Sequence, residues 1–124
     1  MITGSIEEGV YPRILVSVVT PTENMVEKML VDTGFDGDVA VHYNDADRLQ
    51  LEIVDSLVIE YASGDRIEEL YCRGKILWFG KALESEFILS NDEEPAIGTR
   101  LLNGCIMNMN FIDNRLAIDK PQAR

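Results

Sequence analysis

The apolar run Met29-Leu30-Val31 stops abruptly at Asp32-Thr33-Gly34-Phe35-Asp36-Gly37, and this junction constrains the fold more than any other stretch of the chain. Three consecutive apolar residues predict the end of a buried strand, and Gly34 and Gly37 supply the backbone freedom of a tight loop. Asp32 is therefore expected at a strand end, with Thr33 holding the loop through its hydroxyl and backbone. A carboxylate placed there has little water around it and can be tuned for acid/base work. By itself the triplet is a weak signal, because most Asp-x-Gly sequences are simply turns.

The rest of the chain reads as a scaffold. β-Branched content and alternation predict strands over 2–6, 11–20, 25–31, 38–41, 56–61, 66–72, 75–79, 83–89, 105–111 and 115–118. Two short helices are expected, over 43–51 and 99–103, the first capped by Asn44 or Asp45 and the second stopped by Gly104. The result is a mainly β chain with one or two short helices. Ala62-Ser63-Gly64-Asp65 makes a hairpin turn, since Gly64 tolerates positive φ, and an exposed hairpin of this kind can bend over an extended peptide. His42 is expected as an exposed strand-end residue and Trp78 as part of the core. Residues 91–95 read as a polar loop and 120–124 as a loose tail. Nothing resembles a repeat or an interdomain linker, so one domain over 1–124 is expected.

With 124 residues, 46% of them hydrophobic, the chain can bury one modest core. Residues 1–65 hold 13 acidic and 3 basic side chains, a net charge of −10, whereas 66–124 carry −1. An acid-rich half around Asp32 repels phosphates, so nucleic acid is not an expected partner. The same surface is either simply well solvated or steers basic substrates. No stretch approaches the roughly 20 apolar residues that cross a bilayer, and the N-terminus lacks the layout of a signal peptide. No membrane partner and a cytoplasmic location are therefore expected. Cys72 and Cys105 lie in apolar runs and read as buried free thiols. With a single His and no Cys-x-x-Cys, no zinc site is expected. Asp32, Asp36 and Asp38 could on paper ligate a hard cation. Position 12 of an EF-hand loop counted from Asp32, however, would be Tyr43 rather than Glu, and neither metal nor cofactor is expected.

Three elements in order carry a family resemblance: apolar-apolar-Asp-Thr-Gly over 30–34, the hairpin centred on 62–65, and apolar-apolar-Gly over 96–98 opening the last helix. With these the chain resembles the retropepsin-like aspartic proteases over almost its whole length. It looks most like the small prokaryotic members with Asp-Thr-Gly-Phe-x-Gly. Viral members usually carry Ala after the triplet, so Phe35 departs from their pattern. The resemblance implies a retropepsin-like closed barrel, half of an acid-protease fold, in which Asp32 is the catalytic group and Thr33 and Gly34 support its loop. It also implies a flap formed by Ala62, Ser63, Gly64 and Asp65, and it places the strand before Gly98 beside the Asp-Thr-Gly strand, with the glycine allowing close approach. Phe35, Val58 and Ile97 flank these motifs and are the expected pocket residues.

Aspartic proteolysis needs two carboxyls, and the chain has one Asp-Thr-Gly, so a homodimer is implied, with Asp32 of each copy meeting across a two-fold axis. Asp36 and Asp38 are too close in sequence to Asp32 to serve readily as an intrachain partner. An acidic pH optimum is expected from the acid-rich half. Two functions fit these residues: an aspartic endopeptidase acting on extended peptide segments, or a dimeric module that binds peptide or protein with little hydrolysis.

Overall fold

A computed structural model describes residues 1–92 and 94–121, with no side-chain description for Ile59. Glu93 of the expected polar loop and residues 122–124 of the expected loose tail lie outside the described residues. Ten strands and two one-turn helices are found among the described residues. In chain order they are β1 Ile2–Glu7, β2 Tyr11–Val19, β3 Asn24–Val31, β4 Val39–His42, α1 Asp45–Arg48, β5 Glu52–Glu60, β6 Arg66–Trp78, β7 Lys81–Ser90, β8 Ala96–Ile97, α2 Thr99–Leu102, β9 Ile106–Asn110 and β10 Arg115–Asp119. The fold is all-β in character, as the sequence predicts.

The strands lie in the order β5-β6-β7-β4-β8-β3-β2-β1-β10-β9, and β2 also pairs with β6. That extra pairing, Val18 with Ile76 and Val19 with Lys75, closes β6, β7, β4, β8, β3 and β2 into a six-stranded barrel. β5 hangs off one side of β6, while β1, β10 and β9 extend from β2. Closure removes the edges of the central strands, which leaves β5 and β9 as the outermost strands among the described residues. No helix among the described residues is long and apolar enough to cross a membrane.

Period-two alternation decides which side chains enter the barrel. On β2 the buried residues are Ile14, Val16 and Val18, and the intervening Leu15 is 63% exposed. On β3, Met29 and Val31 are buried and Leu30 is only half-buried. Continuing the same alternation carries Asp32 to the side away from the core, so the pattern that buries Val31 leaves the carboxylate accessible. Phe87, fully buried on β7, packs against the backbone of Gly74 on β6; a Cβ at Gly74 would lie 2.7 Å from Phe87 Cε1 and 2.8 Å from Leu51 Cδ2.

That contact explains one departure from the expected strands. The sequence places a break between 72 and 75, yet β6 runs unbroken from Arg66 to Trp78 because Gly74 is needed as a space for Phe87. The β6–β7 turn is Phe79-Gly80, both with positive φ (51° and 78°), one residue before the Gly80-Lys81 turn that the sequence suggests. The cap of α1 also differs. Asn44 occupies the N-cap position but in helical geometry (φ −67°, ψ −15°), and its side chain makes no cap bond. Its backbone N–H donates instead to Nδ1 of His42 at 3.0 Å, so the half-buried imidazole takes up a loop amide rather than standing free. Trp78 lies in the core as expected.

Ion pairs stitch the outer layer. Arg13 on β2 bridges Glu7 (2.7 Å) and Glu94, and Lys28 reaches the other Glu7 oxygen at 2.8 Å. Lys28 and Arg13 together hold the Glu7 carboxyl below its ordinary pKa of 4.5. A lowered folded-state pKa contributes stability above the unfolded value that disappears as pH falls through the folded one. Glu7→Gln should therefore flatten the loss of stability below pH 4.5, as read from urea midpoints across an acid titration. Phe87→Ala should cost about 3–5 kcal/mol in urea unfolding at neutral pH, because the site cannot collapse around the lost ring.

Candidate active site

β8 has only two residues, and both of its edges are used. It runs parallel to β3, pairing Ala96 with Leu30 and Ile97 with Val31, and antiparallel to β4, pairing Ile97 with Val39. The N–H of Leu30 donates to the Pro95 carbonyl at 2.9 Å and that of Asp32 to the Ile97 carbonyl at 3.0 Å. The strand-to-loop junction is thus held at the last residue before the carboxylate turns away.

Beyond it the loop closes on itself. The Phe35 N–H donates to the Asp32 carbonyl (3.1 Å), and the Gly34 N–H donates to Asp32 Oδ1 (2.9 Å), an Asx turn that orients the carboxylate. A Cβ on Gly34 would sit 3.2 Å from that same oxygen. The loop carbonyls then receive the leading amides of α2: Gly98 N–H donates to Asp38 O (3.0 Å), Thr99 N–H to Phe35 O (2.8 Å) and Arg100 N–H to Gly37 O (3.2 Å). Gly98, the N-cap residue, has no side chain to cap these amides, so the loop satisfies them. Thr99 Oγ1 adds a second donation to Phe35 O at 3.2 Å. Loop and helix interlock.

Phe35 fills the middle of the interlock. A Cβ on Gly37 would lie 2.5 Å from Phe35 Cζ, and one on Gly98 would lie 2.6 Å from Phe35 Cδ2 and 2.5 Å from the Phe35 carbonyl oxygen. The ring is held between two glycines. Asp38 is occupied as well, its Oδ2 accepting the Glu86 N–H of β7 at 3.1 Å, and Arg100 lies 3.7 Å from the Glu86 carboxylate.

The sequence-predicted residues thus divide in two. Asp32, Gly34, Phe35 and Gly98 come together in one interlocked site with Asp32 half-buried, whereas Thr33 lies exposed in the same loop and, among the described residues, makes none of the hydroxyl or backbone bonds expected of it. Ile97 is fully buried in the barrel and presents no surface within the protomer, and Val58 lies 59% exposed on β5. Ala62, Ser63, Gly64 and Asp65 form the exposed tip of the β5–β6 hairpin, closed by Tyr61 N–H to Asp65 O (2.8 Å), with Gly64 at φ 88°. Among the described residues no hydrogen bond joins this tip to the Asp32 loop. Sequence reasoning did not single out Asp38, Glu86 or Arg100 as braces of the loop; their partners lie up to 63 residues away, and no local pattern marks them.

Other chemistries find little support. Among the described residues no three of His, Cys, Asp and Glu are arranged to hold a metal ion. Cys72 and Cys105 are both free, and burial pushes both thiols above their ordinary pKa, the direction that suppresses the nucleophilic thiolate. Concavities of about 330 Å³ beside Trp78 and about 280 Å³ beside Gln50 do not include Asp32. Asp32 offers a carboxylate with one oxygen held by Gly34, set on a rigid loop and facing outward rather than into a pocket of the protomer.

No protein-family model matches the chain, and no curated protein matches it. Among solved structures it is similar to the EIAV protease, a retroviral aspartic protease, solved in complex with the inhibitor HBY-793. The TM-score is 0.56 at 16% identity, with 77% of this chain and 88% of the other covered. At that identity the likeness is one of fold, and the fold is retropepsin-like.

Gly98→Ala should test the interlock, because its Cβ would meet backbone oxygens that cannot swing aside. A loss of about 1–3 kcal/mol in urea unfolding is expected, with displaced amide resonances at Asp32 and Gly34. A variant matching the parent in both would show that the close approach is not required.

Proposed function

We propose that this chain is an aspartic endopeptidase that cleaves extended peptide segments as a homodimer, with the Asp32 carboxyls of two copies facing each other. The observation that carries this reading is the setting of Asp32. Its carboxylate is accessible, oriented by the Gly34 amide, and mounted on a loop locked to β8 and α2 within a retropepsin-like fold. The nearby Asp38 is committed to the Glu86 amide and so is poorly placed to act as a second acid, which leaves another copy of the chain as the source.

Peptide hydrolysis by this route needs an activated water, a proton for the leaving nitrogen and a stabilised tetrahedral intermediate. Two carboxyls about 3 Å apart cannot both ionise, so one proton is shared between them. The ionised member takes a proton from water, and the protonated member polarises the scissile carbonyl. This division of labour is the established pattern of aspartic proteases, and the resulting pKa values belong to the pair. In this chain the rigidity of the 32–38 loop supplies the placement on which the pair depends.

Two features of the protomer support the assembly. The outer edge of β9 has no strand partner among the described residues, and β9 follows directly from α2, the helix interlocked with the Asp32 loop. At the far end of the β9–β10 hairpin, Ile112 is 92% exposed. The β5–β6 hairpin supplies backbone groups suited to an extended peptide, and Phe35 and Val58 are the side chains available to flank it. The catalytic unit is read as one domain over 1–124, and its free thiols suit a reducing cytoplasm.

Asp32→Asn should lower peptide cleavage about 10²–10⁴-fold while leaving the dimer intact by sedimentation, because the variant keeps size and shape and removes only the ionisable group. Undiminished cleavage by the variant, or a parent protein that is monomeric at concentrations where it cleaves, would overturn the reading.

A further inference from the structure

The β5–β6 hairpin is anchored unevenly. β6 acquires its second neighbour, β7, only from the pair Leu70 with Leu89 onward, so residues 57–69 are held as a two-stranded ribbon. From Glu52 to Glu68 every described side chain is exposed. A ribbon of that kind is marginal in water and needs support from elsewhere. Among the described residues, one hydrogen bond reaches it from outside its own strands: Tyr43 Oη donates to the Glu68 carbonyl at 2.9 Å. That contact lies two residues beyond the last β6–β7 pair, where strand support ends.

Tyr43 is itself firmly placed. Its N–H donates to Ser90 O at 3.1 Å at the end of the β4–β7 ladder, and its ring packs against the core. The His42 ring meets it edge-on with centroids 6.4 Å apart, and His42 is pinned in turn by the Asn44 amide. A fixed donor therefore grips a thinly supported, two-stranded ribbon at one carbonyl. We propose that Tyr43 is the positioning residue of the hairpin, its hydroxyl fixing the Glu68 carbonyl as the hinge about which the ribbon bends to cover and release a bound segment. The consequence for peptide binding rests on the endopeptidase reading, whereas the clamp itself does not.

Tyr43→Phe removes the hydroxyl and keeps the ring. In the free protein, amide hydrogen exchange over 57–67 should quicken about threefold to tenfold, as expected for one net hydrogen bond, with β2 and β3 unchanged. Tyr71→Phe is the matched control, since the Tyr71 hydroxyl bonds Glu69 Oε2 within β6 and reaches nothing outside the ribbon; it should leave exchange over 57–67 unchanged. With a peptide substrate, Tyr43→Phe should raise KM severalfold with kcat nearly constant. Unchanged exchange over 57–67, or an increase spread equally over β2 and β3, would overturn the clamp. Because exchange is read without substrate, a parent protein that cleaves nothing would sink the endopeptidase reading and leave the clamp to be judged on its own.

Discussion

The structure depends on a mutual capping between a loop and a helix end. A one-turn helix cannot satisfy its own leading amides, and a loop without a strand partner leaves its carbonyls unpaired. Here each supplies what the other lacks: the carbonyls of Phe35, Gly37 and Asp38 accept the N–H groups of Thr99, Arg100 and Gly98. The exchange requires the two backbones to come within hydrogen-bonding distance over a span where a single Cβ would collide, and Gly98 is what makes that approach possible. Asp32 inherits its position from this contact, because its own amide bonds to the residue immediately before Gly98.

Around that point the molecule separates rigid parts from free ones. Closure of six strands through the β2–β6 pairing gives the core a continuous wall of Ile14, Val16, Val18, Met29, Val31, Val39, Val41, Ile76, Phe87 and Leu89. β5 and β9 remain outside the barrel, each with a strand neighbour on one side only among the described residues. A placed carboxylate at the wall, a bendable ribbon on one flank and an open strand edge on the other are what a shared site between two copies would need.

Much of this was legible along the chain. The turn at 62–65, the alternation on β2, the helix stop at Gly104 and the apolar approach to Asp32 are short-range facts, readable from side-chain volume and backbone freedom over a few residues. Where sequence reasoning slipped, a distant contact was responsible. Gly74 reads as a strand break until Phe87, 13 residues on, is seen occupying its missing side chain. Ile97 flanks a motif and looks like a pocket wall, but β8 lies between β3 and β4 and turns the side chain into the core.

The mainly β class, the strand end at Asp32 and the hairpin tip at 62–65 are written in local sequence, because periodicity and positive φ are properties of a few neighbouring residues. The meeting of β2 with β6, the parallel setting of β8 beside β3, the commitment of Asp38 to Glu86 and the grip of Tyr43 on Glu68 arise from the folded sheet alone. Those pairings join residues 25 to 66 positions apart, where the geometry of the whole sheet and not local preference selects the partner.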